Sequence, residues 1–402
     1  MTPTPFSLTP TPKFPEQAAI VGIGESDYSW DSGRTETQLA VAAARSALAD
    51  AGLNAAELDG IMRFSLDTVT PAELARRLGV RELRLALDSP NGPVSAVSMM
   101  AAAAAALRAG QARAVLCFRS FNGRSAFRPG HLPLPETTPE GHVLVEGDRP
   151  FGGEFTGPYG IVSPACVFPL WVRAYMHRHA VSAERITRAL GRIVVKQRAY
   201  AGNNPRALLR DKPLDGAGYL ASPIIAEPLR KVDFCLESDG ACAFIVAGPE
   251  LQSRIKQKPV YYLGSVQSLL LDYDNFFLDR TELPPRQDIN MFRHLLDAHA
   301  VTHGDIDVLG IYDASSANIL FDLESLGFCN DGEAVEFVHG DRPAINTSGG
   351  MLAEVYLQGM NQLLEVVRQL RGDSANQIPD AKLGAVAAAA AQGAALLSGE
   401  PV

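Results

Sequence analysis

The chain has 402 residues, 47% of them hydrophobic and 20% charged, which suits a globular enzyme built from two similar domains or one duplicated α/β unit. A net charge of −9 argues against a nucleic-acid partner. The five cysteines, Cys117, Cys166, Cys235, Cys242 and Cys329, form no C-x-x-C pair, so no zinc knuckle or disulfide framework is indicated and the compartment reads as reducing, hence cytoplasmic.

Residues 1–15 are rich in Pro and Thr and lack an apolar h-region, so they read as a disordered extension rather than a signal peptide. The folded part opens with a strand-like run, Ala18 to Gly24, whose Gly22-Ile-Gly24 lacks the third glycine of a dinucleotide fingerprint. An amphipathic helix follows from about Glu36 to Ala51, with Gly52 as its stop. Strand-like Leu58–Met62 and Leu83–Leu87 come next. The second runs into the small-residue turn Asp88-Ser-Pro-Asn-Gly92, from which a long Ala-rich helix departs. Arg108 and Gly110 end that apolar segment too early for a membrane span. Ala114–Phe118 is the next strand.

The order then repeats. Val260–Gly264 is a strand, Ile289–Ala298 a helix, and Asp305–Tyr312 a strand. Pro343–Asn346 runs into Thr347-Ser-Gly-Gly350, and a long helix carries Met360 to Arg371. Leu383–Ala387 and Ala394–Leu397 close the chain as strands. Asp88 and Asn346 hold equivalent places, each before a turn and a long helix. Two copies of one β-α-β-α-β plan imply a five-layered α-β-α-β-α structure with pseudo-twofold symmetry. The halves are expected over 16–118 with 231–250, and over 258–402. Residues 119–230, rich in Gly, Pro and Arg, are expected to form an inserted loop domain on the substrate side.

Four stretches together carry a family resemblance: Glu237-Ser-Asp-Gly-Ala-Cys-Ala-Phe, Ile311-Tyr-Asp-Ala-Ser315, Leu326-Gly-Phe-Cys-Asn-Asp-Gly-Glu333 and Asn346-Thr-Ser-Gly-Gly350. With the layout, they resemble the thiolase superfamily, within it the sterol-carrier-protein-type thiolases, from Ala18 to Leu397. The departures are more telling. The turn that holds the nucleophilic cysteine in thiolases is here Asn91-Gly92-Pro93. The second, acid/base cysteine is matched by Ala387, and Ala388–Ala391 replace most of the following glycines. The histidine after Asn-x-x-Gly-Gly is matched by Tyr356, and the His or Asn that begins the third motif by Tyr312.

Alanine cannot move a proton, and neither Gly nor Pro can replace a thiolate. The resemblance therefore implies the cysteine-less thiolase-like aldolases that cleave steroid side chains. These split a β-hydroxyacyl-CoA by a retro-aldol into a ring ketone and a short acyl-CoA such as propionyl-CoA or acetyl-CoA. Such a reaction needs a base, enolate stabilisation and an acid, but no acyl-enzyme. Tyr312 and Tyr356 are the expected catalytic residues, and Gly92, Gly350 and Gly393 the expected substrate-binding backbone. Pro93 offers no N–H beside Gly92. The resemblance further implies a homodimer, no cofactor apart from the CoA of the substrate, no metal, and an accessory protein of OB-fold and zinc-ribbon type, with a hot-dog hydratase fused or bound.

Other candidates have plainer readings. Asp313 and Glu354 flank the tyrosines as orienting or fold residues, Gly349 and Gly350 allow close backbone approach, and Asn346 fixes its turn. His177 and His179 fall on different helix faces, which argues against a metal pair. His131 and His142 lie in the insertion, as does the basic run Arg192, Lys196, Arg198, a solvated face or a CoA-phosphate site. Cys166 has no basic neighbour in sequence to activate it as a nucleophile. The competing reading is a non-catalytic thiolase homologue that binds acyl-CoA or scaffolds a partner.

Overall fold

The computed structural model describes residues 18–89, 95–126, 159, 161, 164–267, 290–388 and 392–401. The extension 1–15, the turn Asn91–Pro93 with Gly92, the histidines His131 and His142, and Ala389–Ala391 lie outside the described residues.

Among the described residues, ten strands form the main sheet. In the first half they are β1 (Ala19–Glu25), β2 (Gly60–Phe64), β3 (Leu85–Ser89), β4 (Ala114–Asn122) and β7 (Asp239–Ala247). In the second they are β8 (Val260–Gln267), β9 (Val308–Ile311), β10 (Ala344–Ile345), β11 (Leu383–Ala387) and β12 (Gly393–Ser398). The order across the sheet is β10-β9-β11-β12-β8-β1-β7-β4-β2-β3. Read outward from the centre, the two halves match strand for strand. The halves join where Ala19 pairs with Tyr261 and Ile20 with Val260. The remaining strands, β5 (Ile224–Ala226) and β6 (Leu229–Arg230), form a separate hairpin.

Alternation along the strands builds the layers. Ala19 and Val21 pack with Ala43, Ala44 and Ala47 of the helix Glu36–Ala51 on one outer face. Ile20 and Ile23 turn the other way, toward the helices Ser95–Arg108 and Met360–Arg371. These two helices also meet Val308, Val386 and Leu397 of the second half, so they are the middle layer. Leu309, Ile311, Ala385 and Leu396 face the opposite outer layer, with the helices Asn290–Ala298 and Ser316–Ser325. The helices Pro164–Arg178 and Ala183–Asn203, from the segment between the halves, pack onto that same core.

The helix Glu36–Ala51 follows its sequence signals closely. Thr35 and Gln38 form a capping box, and Gly52 ends the helix at φ 73°. Gly24 is there for packing. A Cβ on it would lie 2.2 Å from the Ala47 nitrogen, so this helix could not rest on β1 with any larger residue.

Candidate active site

Tyr312 sits one residue past the end of β9. Its N–H donates to the carbonyl of Ala387, 3.2 Å away, at the end of the neighbouring β11. Ala387 thus stands beside Tyr312 with only a methyl group where the resemblance expects the acid/base thiol. Tyr356 lies on the loop between the short helix Gly350–Ala353 and the helix Met360–Arg371. Its N–H donates to the Ser238 hydroxyl at 3.0 Å, tying the loop to the start of β7 in the other half. The two phenol oxygens are 3.3 Å apart, within hydrogen-bonding distance, although the residues are 44 positions apart in sequence.

Both rings are buried. Burial pushes Tyr356 up to about 12, with Cys235 adding to the rise while the Tyr312 hydrogen bond and the Arg119 charge pull the other way. Burial, then Tyr356 itself, pushes Tyr312 well above the usual phenol range. Both phenols are therefore protonated at neutral pH, which makes them proton donors and relay groups rather than standing bases.

The residues beside the pair form its frame. Asn346 bonds the Ile311 backbone with both ends of its carboxamide, accepting from the N–H at 2.8 Å and donating to the C=O at 2.9 Å. It fixes the turn, as read from the sequence. Asp313 Oδ1 accepts from the Met351 N–H at 2.9 Å and from the Gln362 carboxamide at 2.6 Å, so it clamps the Tyr312 segment to the loop that carries Tyr356. Burial raises its carboxyl to about 7 despite these bonds. Glu354 accepts from Asn204 at 2.9 Å, Ser348 at 2.6 Å and Asn361 at 3.2 Å. It too is raised to about 7, by burial, with Arg206 opposing the rise.

Gly350 packs against Asp313 and Asn346, and a Cβ on it would lie 2.3 Å from Asp313 Oδ2. Gly393 is buried at the start of β12, and its carbonyl accepts from the Ala388 N–H at 2.8 Å, closing the hairpin that follows Ala387. The other expected candidates stand apart from the pair's frame. Lys196 and Arg192 reach Asp341 at 3.0 and 3.3 Å, and Arg198 donates to the Lys212 carbonyl at 2.8 Å. His177 is on the helix Pro164–Arg178, while His179 lies past its end with its ring 4.8 Å from that of Tyr175. Among the described residues no group of His, Cys, Asp and Glu is arranged to hold a metal ion.

Two residues near the tyrosines were not singled out from sequence. One is half-buried Cys235, whose N–H donates to the Ala314 carbonyl at 3.0 Å. The other is Arg119, buried on β4 with its guanidinium 4.1 and 4.6 Å from the ring centroids of Phe64 and Phe121. Its signal was present in the run Ala-Val-Leu-Cys-Phe-Arg-Ser-Phe-Asn, where a cation interrupts an otherwise apolar strand.

With this geometry in place, similarity to known proteins decides the family. The thiolase C-terminal domain-like family matches residues 296–398. A 17-hydroxy-3-oxo-4-pregnene-20-carboxyl-CoA lyase from Mycobacterium tuberculosis is 37% identical over 370 residues, 90% of this chain and 93% of that protein. The chain belongs to the thiolase-like steroid side-chain aldolases. A steroid side-chain-cleaving aldolase from Thermomonospora curvata agrees, at 34% identity over 376 residues, 91% of this chain and 93% of the relative. Among solved structures, an Ltp2-ChsH2(DUF35) aldolase superposes with a TM-score of 0.85 at 31% identity, covering 96% of this chain and 99% of the other. This member of the aldolase family keeps a thiolase frame around a tyrosine pair.

Proposed function

We propose that this chain cleaves the side chain of a steroid β-hydroxyacyl-CoA by a retro-aldol, releasing a ring ketone and a short acyl-CoA such as propionyl-CoA or acetyl-CoA. The observation that carries the reading is the 3.3 Å contact between the Tyr312 and Tyr356 hydroxyls. The substrate hydroxyl gives its proton to Tyr312 as Tyr312 gives its own to Tyr356 and Tyr356 gives its own to the α carbon, so neither phenol carries two protons at any point. The bond between the α and β carbons breaks, leaving a carbonyl on the ring and an enolate on the thioester. The Tyr356 proton reaches the enolate carbon as that charge develops, in the same relay, and both phenols end as they began. The assignment follows the hydrogen bond within the pair, which lowers Tyr356 and raises Tyr312, so Tyr356 is taken as the donor. Backbone N–H groups near Gly92 and Gly393 are proposed to receive the enolate oxygen. CoA enters only as part of the substrate.

The working assembly in this reading is a homodimer with an accessory protein. β3 ends the sheet with Ala86, Leu87 and Asp88 all exposed, an edge suited to a second copy. The related solved aldolase is named with a second component, ChsH2(DUF35), which supports an accessory subunit; we propose that this subunit is of OB-fold and zinc-ribbon type, with a hot-dog hydratase fused or bound. No helix among the described residues is long and apolar enough to cross a membrane, and we place the reaction in the cytoplasm.

The test is to remove each hydroxyl and keep the ring. Tyr312→Phe and Tyr356→Phe should each lower kcat by roughly 10²–10⁴-fold with KM little changed. Near wild-type turnover in both would reduce the tyrosines to core residues and favour the non-catalytic reading.

A further inference from the structure

Arg119 is an unusual residue for the middle of a sheet. It is 2% exposed and forms an ion pair with Asp67, itself 4% exposed. Asp67 also accepts from the Ser120 N–H at 2.8 Å, and Arg63 donates to the Asp67 backbone carbonyl at 2.7 Å. The Arg119 guanidinium lies over the rings of both Phe64 and Phe121. Its Nε atom has no hydrogen-bond partner among the described residues. A buried cation with one carboxylate and two ring faces is costly to maintain for packing alone.

The stack continues toward the site. The Phe121 ring meets the Tyr356 ring at 6.4 Å between centroids and 60° between planes. Phe64, Arg119, Phe121 and Tyr356 thus form one row that begins in the first half and ends on the phenol pair of the second. Cations hold well over aromatic faces, and such stacks keep their geometry when dry.

We propose that Arg119 is a positioning residue for the aldol chemistry: a fixed cation that seats Phe121 against Tyr356 and makes the Tyr356 hydroxyl the readier proton donor. The proposal rests on the proton relay above, but its first test does not need the substrate. The sign of the electrostatics agrees, since the Arg119 charge lowers both phenols against the effect of burial. The other groups acting on the pair are Cys235, which raises both, and Gln358, which lowers Tyr356. On the far side, burial raises Asp67 to about 6, while Arg119 and Arg63 lower it and Glu36 raises it. Asp67 therefore tempers the Arg119 charge without cancelling it.

The experiment places 3,5-difluorotyrosine at position 356 of the full-length protein and follows its ionisation by fluorine NMR. Fluorination brings the phenol into an accessible pH range and reports this residue alone. Arg119→Gln should raise the midpoint by about one pH unit, a tenfold change in acidity, and Arg119→Lys should restore most of it. Asp67→Asn, which keeps the cation and removes its counter-charge, should move the midpoint the other way. In the enzyme with ordinary tyrosine, Arg119→Gln should lower kcat about tenfold with little change in KM. One midpoint shared by all the variants would overturn the proposal, as would a shift of the same sign in Arg119→Gln and Asp67→Asn. If the midpoints move as stated but no steroid thioester is cleaved, Arg119 keeps its role and the proposed function fails.

Discussion

The hydroxyl oxygens of Tyr312 and Tyr356 lie 3.3 Å apart across two loops that are joined by the Asp313 clamp. One proton relay that needs both phenols behaves as a unit. The double variant Tyr312→Phe/Tyr356→Phe should therefore lose little more activity than the worse single variant. Multiplicative losses, measured in kcat for all three proteins, would show that the two phenols act in separate steps.

The clamp makes a second expectation. Gly350 has φ 59°, and a Cβ on it would run into Asp313 Oδ2 at 2.3 Å. Gly350→Ala should destabilise the chain by roughly 1–3 kcal/mol through backbone strain and should displace the Tyr356 loop. Chemical denaturation gives the first quantity. The second appears as a fall in kcat under conditions where the variant is fully folded.

Buried carboxyls set the pH dependence of stability. The folded chain raises Glu354 from 4.5 to about 7 and Asp313 from 3.8 to about 7. Between the ordinary and raised values the folded state holds protons that the unfolded state has released. The stability they contribute is complete below the ordinary values and is lost as pH rises through about 7. Tm should fall between about pH 5 and about pH 8, and Glu354→Gln, which removes one titrating group, should flatten that decline. An unchanged slope in the variant would mean that Glu354 stays ionised in the fold.

The edge of β3 gives an assembly test. Leu87 is 40% exposed on it, and nearby Leu66 is 60% exposed. If a second copy covers this edge, Leu87→Lys should bring two cations together and weaken the dimer by at least about tenfold. Light scattering across a dilution series reads the change. A dimer as tight in Leu87→Lys as in the wild type would move the interface elsewhere, and a wild-type chain that is monomeric at every concentration would remove it.

Much of the fold was legible because local signals and burial agreed. Helix Glu36–Ala51, helix Met360–Arg371 and strand Leu383–Ala387 fall where periodicity and caps placed them. Strand ends moved where burial outlasted the apolar run. β4 continues through Arg119 and Ser120 to Asn122, because Asp67 pairs with the first and accepts from the backbone of the second. β3 runs Leu85–Ser89 rather than Leu83–Leu87 for another reason: its exposed middle follows the register with β2, where Arg63 pairs Asp88 at 2.7 Å. Tyr312 and Tyr356 could be singled out because a family pattern marks their positions. Arg119 stood out only as a cation within a largely apolar run and Cys235 not at all, since no motif contains them and only the packing of the two halves brings them to the pair. The same holds for the Asp313–Gln362 contact, which spans 49 residues.

The most direct measurement of the central claim is a product balance. The purified protein, with the accessory subunit proposed for it, is given a steroid β-hydroxyacyl-CoA bearing a tertiary ring hydroxyl, with no free CoA added. Equal amounts of ring ketone and short acyl-CoA are expected, with no change on adding CoA and no acyl group on any cysteine by mass spectrometry. A strict requirement for free CoA, or an acyl-cysteine trapped during turnover, would contradict the claim.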